Sequence, residues 1–278
     1  MYQGGYTGKI LRINLTDQTA TKEDLPLDVA KNFIGGAGFG IKYLFDEVPA
    51  GADALGPDNK LIFASGPFSG TTIPCASRMA VTGKSPLTGA VGMALTGGHF
   101  PVELKFAGYD ALIVEGQAEK PTYVWIKDGE VKFRGAKKLW GMKTTDTQQI
   151  IKNDLKDQNI RIACIGPAGE NLVKYAGVFT DRRTAARGGG GAVMGIKNLK
   201  AIAVRGTKKV AVAEPARFHE TVREQVRRCK NDAHFATFSK RGTQNPEFTN
   251  ILGIFPTRNF REGELADWDQ IESSQWDK

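Results

Sequence analysis

"LIFASGPFSG" (Leu61–Gly70) and "RIACIGPAGE" (Arg161–Glu170) are two versions of one pattern, an apolar run of strand length that ends in Gly-Pro. A second pair follows the first. "GYDALIVEG" (Gly108–Gly116) and "IKNLKAIAVRG" (Ile196–Gly206) are again strand-like and again end in glycine. Between the ends of the first copy lie Arg78 and "LTGGHF" (Leu95–Phe100); between those of the second lies "RRTAARGGGG" (Arg182–Gly191). Together these stretches predict two related half-sheets, each carrying an arginine and a glycine-rich loop. The spans differ, about 50 residues from Gly66 to Gly116 and about 40 from Gly166 to Gly206, so two strand-turn units alike by chance are the competing reading.

Outward from this repeat, short alternating or apolar runs bounded by turn residues predict a β-rich first half. "KILRINL" followed by "TDQTATKED" predicts an N-terminal hairpin, and Asp128-Gly129 inside "TYVWIKDGEVKF" predicts another. "LDVAKNFIG" and "GIKYLFDEV" are helix-like pieces around "GGAGFG" (Gly35–Gly40). A further helix is expected at "TDTQQIIKNDL", with Thr145 as its cap and Ile150, Ile151 and Leu155 on one face. After Gly206 the character changes. Pro215 stands at a first helical position, followed by Phe218, Val222 and Val226 at four-residue intervals. The expected division is residues 1–209 and 210–278, the second part being too short and polar for a core of its own and resembling the start of a larger domain.

The chain of 278 residues is 41% hydrophobic, enough for a buried core. Lys and Arg exceed Asp and Glu by 38 to 30, a formal +8 that favours an anionic partner. The basic residues are dispersed and do not alternate with aromatics, which argues against a nucleic-acid groove. No leader is evident in "MYQGGYTGKILRINL", and no run approaches the ~20 apolar residues of a membrane span. Cys75, Cys164 and Cys229 lie far apart, give no metal spacing and are expected to be buried apolar residues, so a reducing cytoplasm is the expected compartment.

Glycine loses the most entropy on folding, so four in a row need a cause. Successive N–H groups of a glycine-rich turn can converge on an anion, and arginine adds a planar fork of donors. Arg183, Arg187 and Gly188–Gly191 therefore suggest a phosphate cradle. The alternative is a tight crossing of backbone on backbone with the arginines solvated. "GGAGFG" lacks the dinucleotide spacing, no GxxxxGK[ST] occurs, and His99, His219 and His234 stand singly. "GKSPLTG" is not a nucleophile elbow, and no triad is evident.

Arg78, "KSPLTG", "ELKFAGYDALIVEG", "IGPAGENLVKYA", "RGGGGAVMGIKNLKAIAVRG" and "FPTRNF", in this order, resemble the N-terminal part of the tungsten-containing aldehyde:ferredoxin oxidoreductases. The resemblance runs from "GGYTGKILRINL" to about Phe260. It implies an α+β fold: a β-rich N-terminal domain of two pseudo-symmetric sheets with peripheral helices, then the start of an α-helical domain. The first domain would be the base for a bis-molybdopterin cofactor whose tungsten, or less favourably molybdenum, is held by the dithiolene sulfurs of the two pterins rather than by protein side chains. A magnesium ion would bridge the pterin phosphates. Carried over by position, Arg78, Leu95, Gly97, Arg183, Thr184, Ala186 and Arg187 fall on cofactor contacts, with Leu95 and Thr184 giving main-chain carbonyls to magnesium.

The chain departs from the family pattern at three of these positions. Asparagine is common in the family at Leu95 and alanine at Thr184, changes a main-chain carbonyl survives. "AARGGGG" stands where relatives read AAGRGGVG, so Ala186 occupies a glycine position and must avoid positive φ. The complete enzyme is expected to oxidise aldehydes to carboxylic acids and pass electrons through a [4Fe-4S] cluster to ferredoxin. That cluster is not ligated by this chain, so activity would need missing C-terminal domains or a companion subunit. Homo-oligomerisation, an aromatic-ring reductase with the same base, and a non-catalytic pterin- or partner-binding module remain open.

Overall fold

The computed structural model describes residues 4–243 and 246–276; residues 1–3 of the opening stretch and 277–278 of the closing "QIESSQWDK" lie outside them. Two compact units divide the chain, Met1–Pro215 and Ala216–Lys278.

The first unit is one motif used twice. In the first copy a hairpin of β1 (Lys9–Asn14) and β2 (Thr19–Asp24) leads through helices α1 (Leu27–Phe33) and α2 (Ala37–Glu47) to β3 (Leu61–Ser65). A second hairpin, β4 (Met79–Lys84) and β5 (Val91–Thr96), precedes α3 (Phe100–Phe106) and β6 (Ala111–Glu115), which returns parallel to β1. The second copy repeats this order. It has the hairpin β7 (Thr122–Lys127) and β8 (Glu130–Gly135), helix α4 (Thr144–Asp154), β9 (Arg161–Cys164) and the single turn α5 (Pro167–Glu170). The hairpin β10 (Val178–Thr180) and β11 (Arg183–Ala185) follows, then α6 (Gly190–Ile196) and β12 (Leu199–Arg205), parallel to β7. The six-stranded orders β2-β1-β6-β3-β4-β5 and β8-β7-β12-β9-β10-β11 correspond strand for strand. The echo in the sequence is therefore a repeated topology, with β3 and β9, and β6 and β12, as its equivalent strands.

Side-chain alternation along the strands sorts the core into layers. Leu61, Phe63, Leu112 and Val114 from one sheet join Ala163, Ile165, Ile202 and Val204 from the other in a cluster that also takes Phe100 and Leu104 of α3 and Val193 of α6. Ile62, Ala64 and Ile113 point the opposite way, toward α1 and α2. Ile162, Cys164 and Ala203 likewise face away and pack with Ile151 of α4. Asp128 and Gly129, both at positive φ, close the β7–β8 hairpin as their sequence demands.

Register extends the equivalence to single residues. Ala64 pairs with Ala111 and Cys164 with Ala201, which makes Asp110 the counterpart of Lys200 and Glu115 that of Arg205. The same bond recurs beside them, Ser65 N–H to Asp110 O and Ile165 N–H to Lys200 O, both 3.1 Å. The charges are opposite. Buried Asp110 pairs with buried Lys105, whereas buried Lys200 pairs with Glu170. Glu115 meets Arg12 and Lys60, whereas Arg205 meets Glu103 and Asp157.

The structure corrects two expectations. Thr145 does not cap α4: Lys143 occupies the cap position without a side-chain hydrogen bond, and Thr145 lies inside the first turn. Of the cysteines only Cys164 is buried; Cys75 is exposed and Cys229 is half-buried.

The second unit is helical. It contains α7, which starts at the junction (Pro215–Asn231), α8 (Ala233–Arg241) and α9 (Pro246–Ile251). Asp232 caps α8 by accepting the Phe235 N–H at 2.8 Å. No residue of α7 or α8 is buried, and Phe218, Val222 and Val226 form only a half-buried stripe.

Candidate functional site

The glycine run has protein on each side. A Cβ at Gly92 would lie 2.5 Å from the Gly188 carbonyl oxygen, and one at Gly189 would lie 2.5 Å from that of Lys174 and 2.6 Å from Pro86. A Cβ at Gly191 would lie 2.5 Å from the Gly177 oxygen. The missing side chains of Gly189 and Gly191 are thus accounted for by the backbone crossing, without calling on a ligand. What approaches this backbone is other backbone, chiefly where the second copy crosses β5 of the first. Arg187, just before the crossing, adopts φ 72 and is exposed, while Ala186 avoids positive φ as its Cβ requires.

The remaining expected residues lie along a seam. β5 and β11 are the outermost strands of their sheets and pack against each other. In the β4–β5 hairpin the Ser85 N–H donates to Ala90 O at 2.8 Å, which fixes the alternation of bonded and open pairs. Counting along the register, Ala80 and Leu95 form an open pair, so the Leu95 N–H and C=O point off the free edge of β5. The β10–β11 hairpin turns on two residues, Asp181 and Arg182, so its closing pair, Thr180 and Arg183, is the bonded one. Phe179 and Thr184 form the next, open pair, and the Thr184 carbonyl also points off a free edge.

Around these edges the chain is open and basic. Arg78, Arg183, Thr184 and Arg187 are exposed, and no salt bridge engages any of the three arginines among the described residues. A Cβ at Gly97 would have the Ser77 carbonyl as its neighbour, at 3.7 Å, and Ser77 adjoins Arg78. Gly98 adopts φ 89, and a Cβ there would lie 3.4 Å from the Asp181 carboxylate and 3.6 Å from the Arg183 side chain. Val91, Met93 and Leu95 present an exposed apolar row along β5. Among the described residues no group of three or more His, Cys, Asp or Glu side chains is placed to hold a metal ion.

Sequence reading missed the polar contacts that join the seam. The buried hydroxyls of Thr96 and Thr180 lie 2.9 Å apart, and Thr180 donates to the Gly97 carbonyl at 3.2 Å. The Asp181 carboxylate accepts the His99 N–H at 3.3 Å and faces Arg161 at 3.7 Å, while its carbonyl accepts from Gln148. Nothing local marks Thr96 and Thr180 as partners, since they are 84 residues apart.

The model of the aldehyde ferredoxin oxidoreductase N-terminal domain matches residues 10–206, the span of the twofold motif. The chain belongs to this family. It is 48% identical over 264 residues to the tungsten-containing aldehyde ferredoxin oxidoreductase of Pyrococcus abyssi, covering 93% of this chain and 43% of that protein. It is 34% identical over 218 residues to the aliphatic sulfonate oxidoreductase, WOR-like subunit, of Pyrococcus furiosus, covering 73% and 35%. Among solved structures it is similar to a chain of the active site complex BamBC of benzoyl coenzyme A reductase with 1,5-dienoyl-CoA. That match has a TM-score of 0.80 at 37% identity and covers 82% of this chain and 35% of that one. The chain thus spans less than half the length of the relatives it matches.

Proposed function

We propose that this chain is the cofactor base of a tungsten bis-pterin oxidoreductase. The observation that carries the reading is the pair of free-edge carbonyls, Leu95 and Thr184, on facing strands beside three exposed arginines that make no salt bridge among the described residues. Main-chain oxygens suit a hard cation such as magnesium, which prefers oxygen ligands and completes its shell from water and phosphate. The residues present therefore fit the group the family implies. Leu95 and Thr184 would lend oxygens to the cation bridging the pterin phosphates, and Arg78, Arg183 and Arg187 would meet the phosphates themselves. Gly97 and Ala186 keep side chains small beside that seat.

When bound, the tungsten cofactor supplies the two-electron redox chemistry. This chain anchors, orients and holds the phosphate charge. Residues 1–209 form the base and 210–278 begin a helical domain completed by further polypeptide. In the whole protein an aldehyde is oxidised to a carboxylic acid, with electrons leaving to ferredoxin through a [4Fe-4S] cluster ligated elsewhere. The 278-residue chain alone does not turn over. No described helix is long and apolar enough to cross a membrane; a cytoplasmic setting is part of the proposal.

The test is metal content. In the complete protein, Arg78→Ala and Arg187→Ala should each lower tungsten and magnesium per polypeptide about tenfold, the loss of one charge-assisted hydrogen bond to phosphate. Full occupancy in both variants would refute phosphate anchoring. The likeness to the benzoyl coenzyme A reductase complex favours a second reading, the base of an aromatic-ring reductase. Turnover of an aromatic CoA thioester, and not of aldehydes, by the whole protein would decide for it.

A further inference from the structure

The two carbonyls are useful to a cation only if the strands that carry them keep a fixed separation, and no β ladder spans β5 and β11. We propose that Thr180 and Asp181 are positioning residues that set this separation by clasping the β10–β11 hairpin to the Thr96–His99 turn. The inference rests on the cofactor-base reading and adds to it the groups that make the seat rigid.

Four contacts build the clasp. The Thr180 hydroxyl has one proton and donates it to the Gly97 carbonyl, so in the 2.9 Å contact it accepts from Thr96. Both threonines are buried, so water does not compete for these bonds. Asp181 then takes the His99 N–H, two residues beyond Gly97, and is itself held by Arg161. Its φ of 51 suits Asp or Asn and directs the carboxylate back across the seam. Gly98 permits the turn, since its φ of 89 is one that L side chains rarely adopt. Thr96 directly follows Leu95, and Thr184 lies three residues beyond Asp181. The clasp therefore holds both carbonyl-bearing strands within a few bonds of the oxygens they present.

Groups that orient metal ligands without touching the metal matter by about 10- to 100-fold in affinity. The experiment titrates the full chain with Mn2+ in the presence of inorganic phosphate, reading bound metal by electron paramagnetic resonance and fold by thermal unfolding. The double variant Thr96→Val/Thr180→Val keeps shape and removes both hydroxyls, so it leaves no orphaned partner hydroxyl. It should bind Mn2+ about tenfold more weakly while still unfolding in one cooperative transition, its melting temperature lowered only by the Gly97 carbonyl's loss of its donor. Asp181→Ala should do likewise, and the conservative Thr180→Ser and Asp181→Asn should restore wild-type affinity and line shape. Equal affinity in all variants, with Arg183→Ala still weakening binding, would overturn the clasp and leave the cation seat standing. Absence of saturable Mn2+ binding in the unmodified chain would overturn the seat and the clasp together.

Discussion

Lys197 is 1% exposed, and its ammonium donates to the carbonyls of Pro57 at 3.2 Å and Gly116 at 2.8 Å without a carboxylate partner in hydrogen-bond reach among the described residues. Burial lowers its pKa from 10.5 to about 8; Glu115 and Asp58 oppose the shift, and Lys60 adds to it. Between those two values the unfolded chain holds a proton that the folded chain has released, so folding gains stability as pH rises through this window. Below about 8 the buried charge costs roughly 3 kcal/mol relative to a neutral amine. The stability of Lys197→Met minus that of wild type should therefore fall by about 2–3 kcal/mol from pH 7 to pH 10. Denaturant unfolding at the two pH values checks this; a pH-independent difference would contradict it. Cys164 behaves differently, because burial pushes its thiol up to about 12. Native alkylation at pH 8 should label exposed Cys75 and spare Cys164, as peptide mass mapping would reveal.

At the scale of elements, the hairpins were legible because their cause is local: Asp-Gly takes positive φ cheaply wherever it stands. The α4 cap was not legible from Thr145, since two residues past the cap its helical backbone no longer aims the hydroxyl at the free N–H groups of the first turn. The tetraglycine run was legible as a close approach but not as an approach to what, because a missing Cβ does not name its neighbour. With that neighbour now known to be backbone, Gly92→Val and Gly189→Val become folding mutations. Valine at Gly189 must also enter left-handed φ of 78. Each should cost about 3 kcal/mol or more, through overpacking and, at Gly189, backbone strain. Unchanged melting temperatures would show that the crossing yields more easily than its distances imply.

At the scale of the molecule, the repeat was legible because each copy closes a buried strand with Gly-Pro. Its unequal spans have a simple origin: β4 and β5 are six residues each, whereas β10 and β11 are three. The meeting of β5 and β11 was not legible, because it depends on contacts between distant edges that no local pattern encodes. In the helical unit, Phe235, Phe238, Phe248, Ile251, Leu252 and Ile254 are exposed, and large apolar side chains left to water favour association. Deleting residues 216–278 should reduce binding of a hydrophobic dye and abolish concentration-dependent light scattering. Undiminished dye binding would locate the sticky surface in the first unit.

Two halves of the same strand topology on one chain invite exchange of parts while folding, and the reversed polarities of Asp110 and Lys200 work against it. If β12 entered the first sheet in place of β6, an ammonium would be trapped beside Lys105 and a guanidinium beside Arg12 and Lys60. The opposite swap would trap carboxylates together near Glu170 and Glu103. We predict that replacing both buried pairs by apolar residues of similar volume lowers refolding yield, while the melting temperature falls by what the Thr7, Gly8 and Gly141 N–H groups lose with their carboxylate partners. Under that outcome the paired charges act as a lock that tells each half which sheet is its own, and undiminished yield would deny them that part.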